Sequence, residues 1–204
     1  MKPSRAPVWK RSLDLGLASA GLLILSPLFA VIAVLIKLDS KGPVFFRQLR
    51  IGQGSREFAI YKFRTMVEDA PQKGAQLTSA GDSRITKVGK VLRELKLDEL
   101  PQLINVLRGE MSLVGPRPEV PRYVDLFRVE YQEILQVQPG ITDLASLKYS
   151  SESEILGSAA DPEREYITRV LPDKIALAKE YVRHSSFWFD VALLFKTFMK
   201  VFVR

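Results

Sequence analysis

The longest apolar run, LGLASAGLLILSPLFAVIAVLI, extends from Leu15 to Ile36 and contains no charged side chain. A helix of roughly 20 apolar residues is enough to cross a bilayer. Ser26-Pro27 falls near the middle of the run, and proline removes a helical donor and crowds the preceding turn. A kink or break is therefore predicted there, leaving two halves of about 15–18 Å each. Neither half crosses a hydrocarbon core of about 30 Å. Basic residues stand on both sides: Lys2, Arg5, Lys10 and Arg11 before the run, and Lys37, Lys41, Arg47 and Arg50 after it. Orientation normally follows an imbalance of such charges, and here there is none. The residues alone leave two forms open, a dip that enters and leaves by one face and a kinked single span; the balanced charge favours the dip. The backbone at the bend needs an internal partner, and the Ser26 hydroxyl is a candidate.

Further along, GPVFFRQLRIG (42–52) and REFAIYKFRTM (56–66) read as extended, aromatic-rich segments joined at Gly52-Gln53-Gly54-Ser55, which predicts a hairpin. Residues 67–83 read as a loop. TKVGKVLREL (86–95) has helical spacing, and a second helix is expected to start at Asp98, with Pro101 in its first turn. Residues 109–121 read as a short strand or loop ending in a proline-stiffened elbow. Residues 121–137 and 161–183 read as helices, with PGIT (139–142) a turn. At the C-terminus, Ser186, Asp190, Lys196, Thr197, Lys200 and Arg204 share about one third of a helical wheel, interrupted by Phe189 and Leu193. Most of the remainder is apolar. Such a helix suits a membrane surface or packs on its own domain or a second copy.

The chain has 204 residues, no cysteine and one histidine, His184. Disulfides, thiolate catalysis and multi-histidine metal sites are thereby excluded. Catalysis is left to carboxylates, Lys, Arg, Tyr or a hard metal held by oxygens. The net charge of +7 suits nucleic acid, an anionic membrane surface or phosphorylated substrates. A cleaved leader is not expected, because the apolar run is long and Ala18-Ser19-Ala20 precedes most of it.

Three constellations carry candidate chemistry. Asp98-Glu99 in LDELPQL would open a helix, where the dipole favours an ionised carboxylate able to act as nucleophile or metal ligand. The same pair is also an ordinary helix start. In GPRPE, Arg117 stands between Pro116 and Pro118, whose fixed φ angles stiffen the elbow and aim a guanidinium suited to phosphate. The alternative there is a surface turn. Lys62, Arg64, Arg84 and Arg93 form an upstream basic set, with Arg93 five residues before Asp98; a solvated basic face would look the same. With no Walker A loop and no G-x-G-x-x-G, any phosphate site is built from Arg side chains and helix ends.

Taken in order, KRSLDL, the apolar run with Ser26-Pro27, IKLDSKGPVFFRQLRIG, YKFRTM, DSRITKVGKVLR, LDELPQLINVLRGEMSLVGPRPE and QPGIT resemble the bacterial sugar transferase family. The closer resemblance is to its small monotopic polyprenyl-phosphate phosphoglycosyltransferases, over roughly residues 8–145. It implies an α+β, mostly helical fold, with a basic segment and re-entrant helix at 1–40 broken at Ser26-Pro27. A cytoplasmic catalytic domain at 41–204 would hold a small β-hairpin and the amphipathic helix of about 185–204. It further implies transfer of a sugar 1-phosphate from a UDP-sugar to undecaprenyl phosphate, with release of UMP, at the cytoplasmic face of a bacterial inner membrane. Asp98 would be the nucleophile, Glu99 would position or deprotonate the acceptor, and Mg²⁺ would bridge Asp98 and the diphosphate. Lys62, Arg64, Arg84, Arg93, Pro116, Arg117, Pro118 and Thr142 would line the substrate phosphates.

Nucleic acid is not expected as a partner on that reading, and a homodimer stays open. PGIT continues here as DLASLKYSSESEIL rather than Gly-Leu-Ala, which leaves sugar recognition by residues 143–160 open. The extra N-terminal transmembrane helices of larger relatives are not expected. The competing readings are a non-catalytic, membrane-tethered binder of anionic lipid or nucleic acid, and a transferase that hands over sugar alone and leaves UDP.

Overall fold

A computed structural model of the chain describes residues 6–70, 77 and 81–202. Residues 71–76 and 78–80 of the expected loop, and Arg204 of the C-terminal stripe, lie outside that range. The first element, α1, is a 32-residue helix, Val8–Asp39, about 48 Å long. It is long and apolar enough to cross a membrane by length and composition. The expected break is not a break in the helix, which continues through Pro27. Proline leaves the Leu23 carbonyl without its usual donor, and the Ser26 hydroxyl supplies one at 2.8 Å. The serine thus takes the part expected of it, within one helix rather than between two.

The hairpin forms as predicted. Strands β1 (Phe45–Ile51) and β2 (Glu57–Phe63) pair antiparallel, with Arg47 opposite Tyr61. The turn between them places Gly54 and Ser55 at positive φ. Helix α2, Lys87–Glu94, starts where Thr86 accepts a hydrogen bond from the Gly89 N–H. A Cβ on Gly89 would collide with the Thr65 backbone, so this glycine lets α2 lie directly on the end of β2.

The helix expected at Asp98 starts later. Leu97–Glu99 form a 3-10 turn entered from Lys96 at φ 57°, and α3 spans Gln102–Arg108. Strand β3, Ser112–Val114, pairs in parallel with β4, Gly140–Thr142. Three of the four residues of PGIT are therefore strand rather than turn. A parallel pair needs a crossover, and α4 (Pro121–Leu126) and α5 (Arg128–Ile134) supply it. They divide the expected 121–137 helix at Phe127, whose φ of −120° and ψ of 40° are not helical.

Two short helices, α6 (Leu144–Lys148) and α7 (Glu152–Gly157), were not foreseen. The expected 161–183 helix is α8 (Pro162–Glu165), a π turn at Tyr166–Val170 and α9 (Leu171–His184). The chain's described part ends in α10, Phe187–Phe202.

Helix α1 packs along one face. Asp14, Ala18, Ile32 and Ile36 are buried, and Gly21, Leu25, Leu28 and Phe29 between them are half-buried, a spacing that keeps one stripe inward. Both ends dock on the rest of the chain. Near the start, Asp14 accepts from the Leu113 N–H at 2.9 Å. Arg11 donates to the Val106 and Leu107 carbonyls at 2.7 and 3.0 Å, capping the end of α3. Near the other end, Ile32 and Ile36 join Phe63 and Leu92 in one apolar cluster, and Asp39 accepts from the Val88 N–H at 3.0 Å. Lys10 and Arg11, counted above among the flanking charges, are thus engaged with the protein.

The expected polar stripe of α10 divides: Asp190 turns inward and Thr197 is half-buried, while Lys196 and Lys200 are exposed. Asp190 is buried and paired with Lys10, and its other oxygen accepts from the Tyr181 hydroxyl at 2.8 Å. Leu193 is buried beside it, while Trp188, Phe195 and Phe198 are exposed. Removing one member of a buried pair leaves an uncompensated charge, at a cost of about 3–5 kcal/mol. Asp190→Ala should lower stability by that order in chemical unfolding. Lys10→Met combined with Asp190→Leu should recover most of the loss, because the orphaned charge is then gone.

Candidate active site

The cluster is built from three elements. The 3-10 turn supplies Asp98 and Glu99, β2 supplies Lys62, and the elbow after β3 supplies Arg117. Glu99 is the junction. Its Oε1 accepts from Lys62 Nζ at 2.7 Å, its Oε2 accepts from Arg117 at 3.0 Å, and a second Arg117 nitrogen donates to Oε1. This two-pronged geometry is the strong form of an Arg–carboxylate pair.

The elbow is held by backbone and by Asp143. The Gly115 N–H reaches the Thr142 carbonyl at 3.1 Å, and the Gly140 N–H reaches the Pro116 carbonyl at 2.9 Å. Asp143 accepts from the Arg117 N–H at 3.3 Å and caps α6 through the Ser146 N–H at 2.7 Å. Behind the elbow, Glu119 accepts from Arg50 at 2.9 Å and from the Tyr166 hydroxyl at 2.6 Å. Pro116, Pro118 and Thr142 therefore shape the ground on which Arg117 stands.

Asp98 and Glu99 are neighbours with opposite environments. Burial pushes Asp98 above the usual carboxylate range, and the charge of Glu99 adds to this against Lys62, Arg93 and Lys96. No hydrogen bond or ion pair holds Asp98 among the described residues. Burial also opposes the charge of Glu99, but Arg117 and then Lys62 outweigh it and hold Glu99 well below its ordinary value. Burial pulls Lys62 down, with Glu99 opposing. Two carboxylates whose ionisation is pushed apart are a pattern of acid–base and nucleophilic sites. The expected helix N-terminus at Asp98 is corrected: Asp98 caps no helix, since α3 begins four residues later, so no helix end supports its charge.

The other basic candidates divide. Arg93 donates to the Thr65 hydroxyl at 2.8 Å, and its charge acts on Asp98, so it belongs to the cluster. Arg84 is engaged with Asp82, at 2.9 Å from Nε, and with the Ala70 carbonyl at 3.2 Å. Arg64 turns the other way. It donates to the Ser40 carbonyl at 2.8 Å and to Lys41, capping the end of α1, and this geometry places its guanidinium in a structural role. Ser26 and Pro27 lie in α1 and are no part of the cluster. Thr65 and Asp143 were missed by sequence reasoning, as partners whose roles arise only from folding. Gln102 was missed too. It is fully buried, and neither end of its amide has a partner; its only sequence signal was its place four residues after Asp98.

The set offers an unpaired carboxylate and three cations, a surplus of positive charge suited to a diphosphate. Two Arg117 N–H groups are used by Glu99, leaving three of its five. Among the described residues there is no group of three His, Cys, Asp or Glu side chains that could hold a metal. Mg²⁺ commonly binds through one or two carboxylates plus substrate phosphates, and Asp98 fits that mode.

The two carboxylates predict opposite effects on stability. Asp98 is raised, so folding loses stability as pH rises from its unfolded value near 4 through the folded one. Asp98→Asn should therefore raise the melting temperature at neutral pH. Glu99 is depressed, so its contribution is present above about pH 4.3 and is lost as pH falls through the lower folded value. Glu99→Gln should lower stability at neutral pH by about 1.5–3 kcal/mol and flatten the acid limb of a melting-temperature profile.

The family model described as bacterial sugar transferase matches residues 5–204. The chain is 46% identical over 193 residues to a UDP-N-acetylgalactosamine-undecaprenyl-phosphate N-acetylgalactosaminephosphotransferase of Aeromonas hydrophila, covering 92% of this chain and 42% of that protein. It is 37% identical over 199 residues to a UDP-glucose:undecaprenyl-phosphate glucose-1-phosphate transferase of Escherichia coli, covering 96% and 40%. It is 38% identical over 203 residues to the exopolysaccharide production protein ExoY of Rhizobium meliloti, covering 92% and 83%. The chain spans about two fifths of the length of the first two. With the family model matched over nearly its whole length, the chain belongs to the bacterial sugar transferase family.

Proposed function

We propose that this protein transfers a sugar 1-phosphate from a UDP-sugar to undecaprenyl phosphate, through a phosphosugar covalently held on Asp98. The observation that carries the reading is the contrast between the dyad residues, a desolvated and unpaired Asp98 beside a Glu99 tied to Lys62 and Arg117. Asp98 attacks the β-phosphorus; a carboxylate–phosphorus bond forms and the bond to the bridging oxygen breaks. That oxygen leaves with its electron pair on UMP. An oxygen of the acceptor phosphate then attacks the same phosphorus and releases Asp98. Dividing the transfer avoids the direct meeting of two anions in one step. Arg93, Lys62 and the three remaining Arg117 donors supply positive charge for the phosphates. Asp98 and the diphosphate oxygens would hold Mg²⁺, which offsets charge as the diphosphate breaks. Glu99, held ionised by two cations, is a weak base; its pairing favours positioning Lys62 and Arg117 over deprotonating the acceptor.

Two features support a membrane setting. Helix α1 contacts the same domain near both ends, through Asp14 and through Ile36. A straight span would carry one end about 30 Å away from that domain, so the contacts favour a helix that stays on one side. Helices α1 and α10 each bury one acid, Asp14 and Asp190, and expose large apolar side chains, among them Leu23, Ile24, Trp188 and Phe195. Such exposed apolar side chains suit a lipid-facing surface on the cytoplasmic side. The relatives differ in their named sugars, N-acetylgalactosamine and glucose, so the donor is identified by assay.

The protein should release UMP, not UDP, from one member of a panel of UDP-sugars when undecaprenyl phosphate and Mg²⁺ are supplied. Asp98→Asn should reduce turnover by at least a thousandfold while the protein stays folded. UDP as the by-product would show transfer of sugar alone, and an active Asp98→Asn protein would remove the covalent step.

A further inference from the structure

The two faces of the hairpin differ in chemistry. Lys62 shares one face with Phe46, Gln48 and Arg50, and there it meets Glu99. The opposite face carries Phe45, Arg47 and Leu49, opposite Phe63, Tyr61 and Ala59. On that face Arg47 and Arg108 each place the guanidinium carbon 4.9 Å from the centre of the Tyr61 ring. Arg108 also donates to the Tyr61 hydroxyl at 2.8 Å. The two cations are therefore within about 10 Å of each other. Both side chains belong to exposed residues, and neither is ion-paired among the described residues. The electron-rich ring attracts each cation, but it does not cancel the repulsion between them. An anion shared by both would, and Arg is suited to phosphate oxygens.

The rim of this pair is apolar. Phe45 and Leu49 flank Arg47 on the same face and are 37% and 46% exposed. Phe45 stacks on Phe63 at 5.5 Å between ring centres, and Phe63 meets Phe29 of α1 at 5.0 Å. The face that carries the basic pair thus continues through Phe45 and Phe63 to Phe29 of the apolar helix, two residues beyond Pro27. A soluble anion needs no such rim. A charged headgroup with acyl chains beneath it does.

We infer that Arg47 and Arg108, gathered on the buried Tyr61, bind the phosphate of an anionic phospholipid headgroup, with Phe45 and Leu49 against its acyl region. This site is separate from the Asp98 cluster and lies on the other face of the same hairpin. Lipid held there would fix the tilt of the strand that carries Lys62. The inference rests on the membrane setting proposed above.

The test is native mass spectrometry of the full chain in neutral detergent, titrated with phosphatidylglycerol or phosphatidylcholine. The wild type should retain phosphatidylglycerol preferentially. Arg47→Gln combined with Arg108→Gln should reduce that preference about tenfold or more, since each cation near an anionic headgroup contributes appreciably. Arg128→Gln, which removes an exposed charge from α5, should leave it unchanged. Arg47→Gln alone breaks no hydrogen bond among the described residues, and it should lower the preference in the same direction even if the double variant is poorly folded. Retention unchanged in Arg47→Gln, or an equal loss in Arg128→Gln, overturns the site. Inorganic phosphate bound as tightly as the lipid overturns the lipid assignment. UMP release measured on the same preparations reads the transferase reaction separately: its absence in the wild type would remove the proposed reaction and leave the lipid result standing.

Discussion

Glu99 carries one negative charge that organises three segments distant in sequence. Lys62 comes from the hairpin and Arg117 from the elbow after β3, and both cations terminate on this carboxylate. Removing charge from water is costly unless partners replace the lost hydration. Here Arg117 and Lys62 do so through hydrogen bonds as well as charge. The consequence reaches the adjacent residue. With Glu99 engaged, Asp98 is left desolvated and unpaired, and the environments of the two carboxylates separate. The reactivity assigned to Asp98 therefore depends on what Glu99 holds.

A second constraint comes from the long apolar helix. A stripe of small and branched residues lets α1 lie on the domain, and polar residues at its two ends lock the register. Asp14, Arg11 and Lys10 act at one end, and Asp39 with the Arg64 cap acts at the other. Arg64 shows the cost of classing basic residues together, because its guanidinium serves backbone carbonyls at a helix end rather than a substrate. Helix α10, like α1, anchors through a buried acid. Its Asp190 is buried on Lys10, and Phe187, Trp188, Phe195 and Phe198 are exposed.

Much was legible in the sequence because it depended on local rules. The hairpin followed from two aromatic segments and a Gly-rich turn. The helix α2 followed from the apolar spacing over 86–95, and the stiffness of the elbow from two prolines. The Ser26 hydroxyl at the proline was legible because a missing N–H creates a local demand. The Asp98-Glu99 pair and Arg117 were legible as residue types suited to phosphate chemistry, and the order of motifs pointed to the family.

Other features depended on contacts between distant segments. The parallel pairing of β3 with β4 requires a crossover that no local pattern announces. The late start of α3 and the left-handed Lys96 put Asp98 in a buried turn rather than at a helix cap, which reversed the direction of its shift. Which cations reach the dyad, which cap helices and which gather unpaired on Tyr61 was set by packing. A charged side chain's role is fixed by the partner brought to it. The sequence by itself determined the chemical inventory and the local elements; only the tertiary structure decided how the charges were paired, because burial and distance set that pairing and neither is local.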